Sequence, residues 1–146
     1  MKICFGVIDQ PYDYGDEPGK TTFEVAQDLE ERYEIFSHFW DMHKEEIIRE
    51  AGEMLAYQLV NHLKHKAPLP SVQVMGKTRG IFHQFLEVEE MAGLTINGNP
   101  VPTNAALMGV NSRLKDKYTG ERRPSFIDGG LFKTSFIAWI GNDAEP

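Results

Sequence analysis

Gly19, Lys20 and Thr21 have the residue types of a phosphate-binding loop, and they follow an apolar amino-terminal stretch. A loop of that kind needs a glycine, four further residues and then Gly-Lys-Ser/Thr. The upstream glycine here is Gly15, which leaves three intervening residues, two of them acidic. The spacing and charge therefore favour a hairpin loop followed by a helix start over a nucleotide site.

Histidines are the other residues that could support chemistry. His62 and His65 are three apart, so they could share a helix face, and Glu50 and Glu53 could add oxygen ligands. A zinc site needs four ligands, or three and a water, and no His-Glu-x-x-His pattern occurs. We therefore expect no catalytic residue, no metal and no cofactor. A nucleotide- or metal-dependent hydrolase that uses Lys20 or the histidines is the weaker alternative.

The composition is that of an ordinary folded protein. The chain has 146 residues, 41% hydrophobic and 25% charged, which favours a single domain over 1–146 with a core of its own. The net charge of −7 disfavours sequence-independent DNA binding. No apolar run reaches the roughly 20 residues of a membrane span, so we expect a chain that is cytosolic when made. Cys4, the one cysteine, is expected to be a small buried hydrophobe.

The longest regular pattern predicts a helix at about 34–66. Apolar residues recur there at steps of three and four, and Pro68 and Pro70 end the pattern. Gly52 in its middle indicates close packing or a bend.

Shorter patterns predict the remaining elements. Thr21 or Thr22 begins a helix that runs to about Tyr33, with Glu24 completing a capping box. Residues 71–80 are expected to be irregular. The other predictions are a strand at 2–9, a short helix at 81–91, a turn at 97–100, a short helix from 102–107 capped by Thr103 or Asn104, and a strand at 134–140. The predicted fold class is α+β, a small mixed sheet of the N- and C-terminal strands with the 34–66 helix packed across it.

Two features of the last third indicate surface contacts. The basic segment 113–123 could pair with an acidic face of a neighbouring copy, such as residues 28–32, or could contact DNA. Phe132 and Phe136 would share a strand face if the terminal strand begins early enough. That strand could lie in the core, or at a sheet edge where it adds to a neighbour's sheet.

One family resemblance emerges from these segments. Asp128-Gly129-Gly130-Leu131 with Ser135 is similar to an Asp-Thr-Gly-x-Leu-x-x-Ser pattern in neck and tail-completion proteins of tailed bacteriophages. Gly129 stands where that pattern commonly has Thr. Three more segments look like parts of phage virion proteins of this size: 21–33, 102–110 and 123–128.

The resemblance implies a structural virion protein without enzymatic activity. Such a protein forms a ring at the phage neck or tail top that completes or terminates the tail and joins it to the head. Its partners would be further copies of itself, in a hexamer or dodecamer, and neighbouring neck, tail-tube or sheath proteins. It could also contact the DNA that passes through the ring, and no membrane contact is expected. It would occupy the virion, and the host cytoplasm during assembly. The predicted subunit-interface residues are Arg122, Arg123, Asp128, Phe132 and Trp139. The alternative is a small DNA-contacting protein that uses 113–123.

Overall fold

The computed structural model describes residues 1–12, 19–109, 120–127 and 130–142. Its elements in chain order are β1 (Lys2–Val7), α1 (Thr22–Tyr33), α2 (Ile35–His65), β2 (Val72–Val74), α3 (Gly76–Glu87), β3 (Thr95–Ile96), β4 (Asn99–Pro100), α4 (Asn104–Met108), α5 (Leu131–Ser135) and β5 (Phe136–Gly141). The predicted α+β class and the long helix are confirmed. Within the described ranges, none of the helices combines the length and apolar character needed to cross a bilayer.

The main sheet has the strand order β1-β5-β2, and both pairings are antiparallel. The prediction of a mixed sheet is therefore wrong, because every neighbour of β5 runs opposite to it. The edge-strand interpretation of the C-terminal strand is also wrong. Gly141 pairs with Lys2 on one side and with Val72 on the other, which makes β5 the central strand.

Residues 71–80 are regular rather than irregular. They contain β2 and the first turns of α3, which begins at Gly76 and ends at Glu87 instead of spanning 81–91. The three residues of β2 are too few to give a periodic pattern, and the α3 start carries no side-chain cap of its own. Both features depend on partners that are distant in the sequence.

The C-terminal strand begins later than predicted. Residues 131–135 form α5, and the Ser135 hydroxyl donates to the carbonyl of Phe132 at 2.8 Å. Phe132 therefore lies on a helix and Phe136 begins the strand, so the strand does not begin early enough for the two to share one of its faces.

Carboxylates hold the starts of α1 and α2. Thr21 and Glu24 form the predicted capping box at α1. Glu34 then adopts the left-handed conformation (φ 50°) and separates the two helices. Beyond it, Glu30 accepts hydrogen bonds from the Phe36 amide at 2.7 Å and from the Ser37 hydroxyl at 2.6 Å. A negative group at a helix amino terminus satisfies free amides and complements the helix dipole.

The core is largely aromatic where α2, α3 and β5 meet. The Phe82 and Phe136 rings are stacked with their centroids 3.8 Å apart, and Phe39 meets Phe82 edge-on at 5.0 Å. All three side chains are at most 1% exposed. Phe5 of β1 contacts Phe39 at 5.4 Å, so this cluster joins the sheet to both helices.

Glu50 of α2 caps α3 from outside that helix. Its carboxylate accepts from the Lys77 amide at 2.9 Å, the Thr78 amide at 2.7 Å and the Thr78 hydroxyl at 2.6 Å. Glu50 is 7% exposed and Thr78 is fully buried. A buried carboxylate is tolerated only when it is fully hydrogen-bonded, which these three donors achieve.

Replacing Glu50 should therefore destabilise the protein strongly. Glu50→Ala leaves three donors at the α3 start unsatisfied, and we expect the free energy of unfolding to fall by about 3 kcal/mol. Glu53→Ala is the matched control, because Glu53 makes one exposed ion pair with Lys77 at 3.0 Å, and its loss should lower the stability far less than Glu50→Ala does. Urea denaturation of the two variants measures the difference. Equal losses would contradict the capping role.

Removal of the central strand should abolish the fold. A chain ending at Gly120 lacks β5, so β1 and β2 lose the strand to which each is paired. We expect no cooperative unfolding transition and no near-ultraviolet circular dichroism signal from packed aromatic side chains. A truncated chain that unfolds cooperatively would contradict the central role of β5.

Candidate functional site

Residues 102–109 and 120–127 meet one another next to the ends of α1 and α3, and we call this region the junction. The Thr103 amide donates to the Ser125 hydroxyl at 3.1 Å, and the Arg123 amide donates to the Ala106 carbonyl at 3.1 Å. Ser125 is 2% exposed. These bonds fix the 120–127 segment onto α4.

Gly109 allows the two segments of the junction to approach closely. It ends α4 in the left-handed conformation (φ 67°), and a Cβ there would collide with the backbone of Glu121. A left-handed residue with no room for a side chain must be glycine. The sequence signal for this site was a helix cap at Thr103 or Asn104. The structure assigns the cap to Thr103, whose hydroxyl accepts from the Ala106 amide at 3.1 Å.

Arg122 and Glu89 form the charged rim of the junction. One guanidinium nitrogen of Arg122 lies 3.2 and 3.0 Å from the two carboxylate oxygens of Glu89. Glu89 also accepts from the Ser125 amide at 3.4 Å. The Arg122 side chain is 51% exposed and that of Glu89 16%, so Arg122 retains surface for a further contact.

Arg123 has a local role. Its guanidinium donates to the carbonyls of Pro124 at 3.3 Å and Ile127 at 3.2 Å, and its side chain is partly buried. These bonds hold the turn in which Phe126 has φ 69° and contacts Tyr33, with ring centroids 4.9 Å apart. Arg123 thus positions Phe126 against the end of α1.

Of the other three predicted interface residues, two are buried and one lies outside the described residues. Phe132 is 4% exposed and packs against Phe36 and Phe82, with centroids 6.3 and 6.1 Å apart. Trp139 is 5% exposed, and its ring covers Gly6, where a Cβ would lie 3.2 Å from the indole. Both side chains have little surface for contact with a second copy. Asp128 lies outside the described residues, as do residues 113–119 of the basic segment.

The residues considered for enzymatic chemistry do not converge. Lys20 is ion-paired with Asp28, and the His62 ring binds the Ala67 carbonyl at 2.8 Å at the end of α2. In the part of the chain that the structure describes, no three histidine, cysteine or acidic side chains are grouped as metal ligands would be. Cys4, expected to be buried, is partly exposed.

A histidine of α2 that was not among the predicted site residues contacts acidic side chains on both sides. His43 of α2 lies between two carboxylates, with its ring nitrogens 2.5 Å from Glu90 and 3.4 Å from Glu46. Its ring also contacts Phe39 and Phe85, with centroids 5.5 and 6.1 Å apart. The contacts tie α2 to the residues that follow α3.

A second cluster, which was not predicted from the sequence, joins α3 to α5. The Lys133 ammonium donates to the Glu87 carboxylate at 2.7 Å and lowers its pKa below the ordinary 4.5. Burial, together with the nearby charge of Arg79, lowers the pKa of His83 below the ordinary 6.5. His83 and Glu87 are four apart on a helix, which was visible in the sequence, but Lys133 comes from 46 residues away.

No known protein family, curated protein or solved structure matches this chain. The functional interpretation therefore depends on its own residues and contacts.

His83 should make the stability of the protein depend on pH. Because its pKa is lower in the folded chain, the unfolded chain takes up a proton first as the pH falls below 6.5. The free energy of unfolding should therefore be highest above pH 6.5 and should decrease until the pH passes the folded-state pKa. Glu87 adds a further loss below pH 4.5, because its pKa is also lower in the folded chain.

Urea denaturation at a series of pH values measures this dependence. His83→Gln should flatten the curve just below pH 6.5, while His65→Gln controls for removal of an imidazole at an exposed position. A His83→Gln chain that keeps the full slope would show that another group is responsible.

Proposed function

We propose that this chain is a structural virion protein of the neck or tail top of a tailed phage, where it forms a ring that completes or terminates the tail and joins it to the head. The observation that carries the proposal is that the segments resembling such proteins pack side by side, although they are far apart in the sequence. Tyr33 at the end of α1 contacts Phe126, and Thr103 binds Ser125. α1 also packs against α5.

The arrangement of the junction suits the edge of a ring subunit. Its segments are joined by the bond from the Thr103 amide to the Ser125 hydroxyl and by the bond from the Arg123 amide to the Ala106 carbonyl, so Arg122 is held beside α4. A closed ring needs head-to-tail contacts, in which one surface meets a different surface on the next copy. We propose that Arg122 is on one of these surfaces and that an acidic helix face, including the exposed Glu31 of α1, is on the other.

The charge of the chain is compatible with a ring around DNA. A net charge of −7 repels the phosphate backbone, so DNA would pass without being retained. The DNA-contacting alternative depends mainly on 113–119, which lie outside the described residues, and no contact of the described residues favours it over the ring.

Native mass spectrometry and negative-stain microscopy of the purified chain test the ring. We expect a closed assembly of fixed copy number. A chain that stays monomeric at every concentration, and is absent from purified phage particles that encode it, would contradict the proposal.

Charge reversal at Arg122 tests the proposed contact. Arg122→Glu should shift the assembly towards smaller species with little loss of fold stability, because an exposed ion pair contributes at most about 1 kcal/mol. Lys77→Glu makes the same charge change and breaks an exposed intrachain pair elsewhere, so it is the matched control. Equal effects of the two variants on the native mass would exclude a specific role for Arg122.

A further inference from the structure

The second half of α2 is apolar but has little packing within the chain. The last buried residue of this helix is Ala51, although the helix continues to His65. Tyr57, Leu59 and Leu63 beyond it are 68%, 54% and 71% exposed. A helical segment of this length is only marginally stable in water unless an apolar face is packed, so a partner would stabilise it.

Five residues form one stripe, which begins at Ile48 just before this half of α2 and which we call the outer stripe: Ile48, Gly52, Ala56, Leu59 and Leu63. Their steps of four, four, three and four place them on one helix face. At about 100° per residue, that face points away from the side that buries Ile47 in the core. All five residues are exposed.

Gly52 in this stripe has no close neighbour among the described residues. A Cβ at this position would meet none of their atoms within 4 Å, so the close packing suggested by the sequence does not occur within that part of the chain. Glycine in a helix costs up to about 1 kcal/mol relative to alanine. A second helix that approaches the stripe closely would account for the missing side chain.

We infer that the outer stripe binds the outer stripe of a second copy of this chain, with the two helices antiparallel about a two-fold axis between positions 55 and 56. This register places Ile48 opposite the second copy's Leu63. It also places Gly52 opposite the second copy's Leu59, so that a large side chain enters the space that the glycine leaves. Each contact occurs twice, as a two-fold axis requires.

The charges beside the stripe support the antiparallel direction. In this register Glu45, which lies on the same helix face as the stripe, is opposite the second copy's Lys66, the residue that ends α2. Both residues are exposed. A parallel pair would instead bring Glu45 towards Glu45 and Lys66 towards Lys66, which opposes association.

This two-fold contact is independent of the proposed ring. It makes the same surface meet itself, whereas a ring uses two different surfaces. The two contacts could coexist, because the outer stripe and the junction use different residues. Two rings joined back to back would then have twice the copy number of one.

Single cysteines test the register directly in a Cys4→Ser background. At Ala56→Cys, the two copies place their cysteines beside the axis, within reach of a disulfide. At Leu63→Cys, the antiparallel register separates the cysteines by about 22 Å along the helices, from a rise of 1.5 Å per residue. We expect a covalent dimer under mild oxidation for Ala56→Cys and none for Leu63→Cys. Cross-linking of both variants, or of neither, would overturn the antiparallel pair.

A substitution in the stripe tests the contact without cysteine. Leu59→Glu should raise the dissociation constant of the pair at least tenfold while leaving urea denaturation of the monomer nearly unchanged, because its side chain is already exposed. Phe23→Glu on α1, where Phe23 is 50% exposed, is the matched control and should leave the pair intact. A Leu59→Glu chain that associates like the parent would also overturn the inference.

The Ala56→Cys cross-link in an Arg122→Glu chain separates the two proposals. We expect the cross-link to form there even if ring assembly fails, because the stripe does not include the junction. Loss of the cross-link in that chain would show that the two-fold pair is not an independent contact.

Discussion

The structure depends on one buried carboxylate. Glu50 is held in the interior by three donors at the start of α3, and those donors would be unsatisfied without it. The contact fixes where α3 begins and how it lies against α2. That position in turn brings Phe82 onto Phe136, so the aromatic core and the central strand are assembled around the same constraint.

Features determined by neighbouring residues were predicted well from the sequence. The 34–66 pattern gave α2 within one residue at each end, and the Thr21-Glu24 capping box and the Thr103 cap both occur. Features determined by distant residues were not predicted. The start of α3 depends on Glu50, and β2 forms because β5 provides a partner, so neither leaves a periodic signal in its own segment.

The candidate site shows the same division. The sequence identified Arg122 and Arg123 as charged residues of interest but could not show that one pairs with Glu89 and the other binds backbone carbonyls. Phe132 and Trp139 were predicted as interface residues together with them. From the sequence alone, an apolar residue that packs in the core cannot be distinguished from one that packs against another subunit. Only the packing distinguishes them, since both aromatic side chains are covered by the chain's own residues.

The position of β5 has a consequence for synthesis. β1 is made before β5, yet their paired residues, from Val7 and Phe136 to Lys2 and Gly141, are about 130 to 140 positions apart, which gives the sheet a high contact order. During translation, β1 therefore remains unpaired until residue 141 has left the ribosome. A chain released early could not bury its aromatic cluster and would be open to proteolysis. Only chains translated through β5 can therefore form the three-stranded sheet and bury the aromatic core.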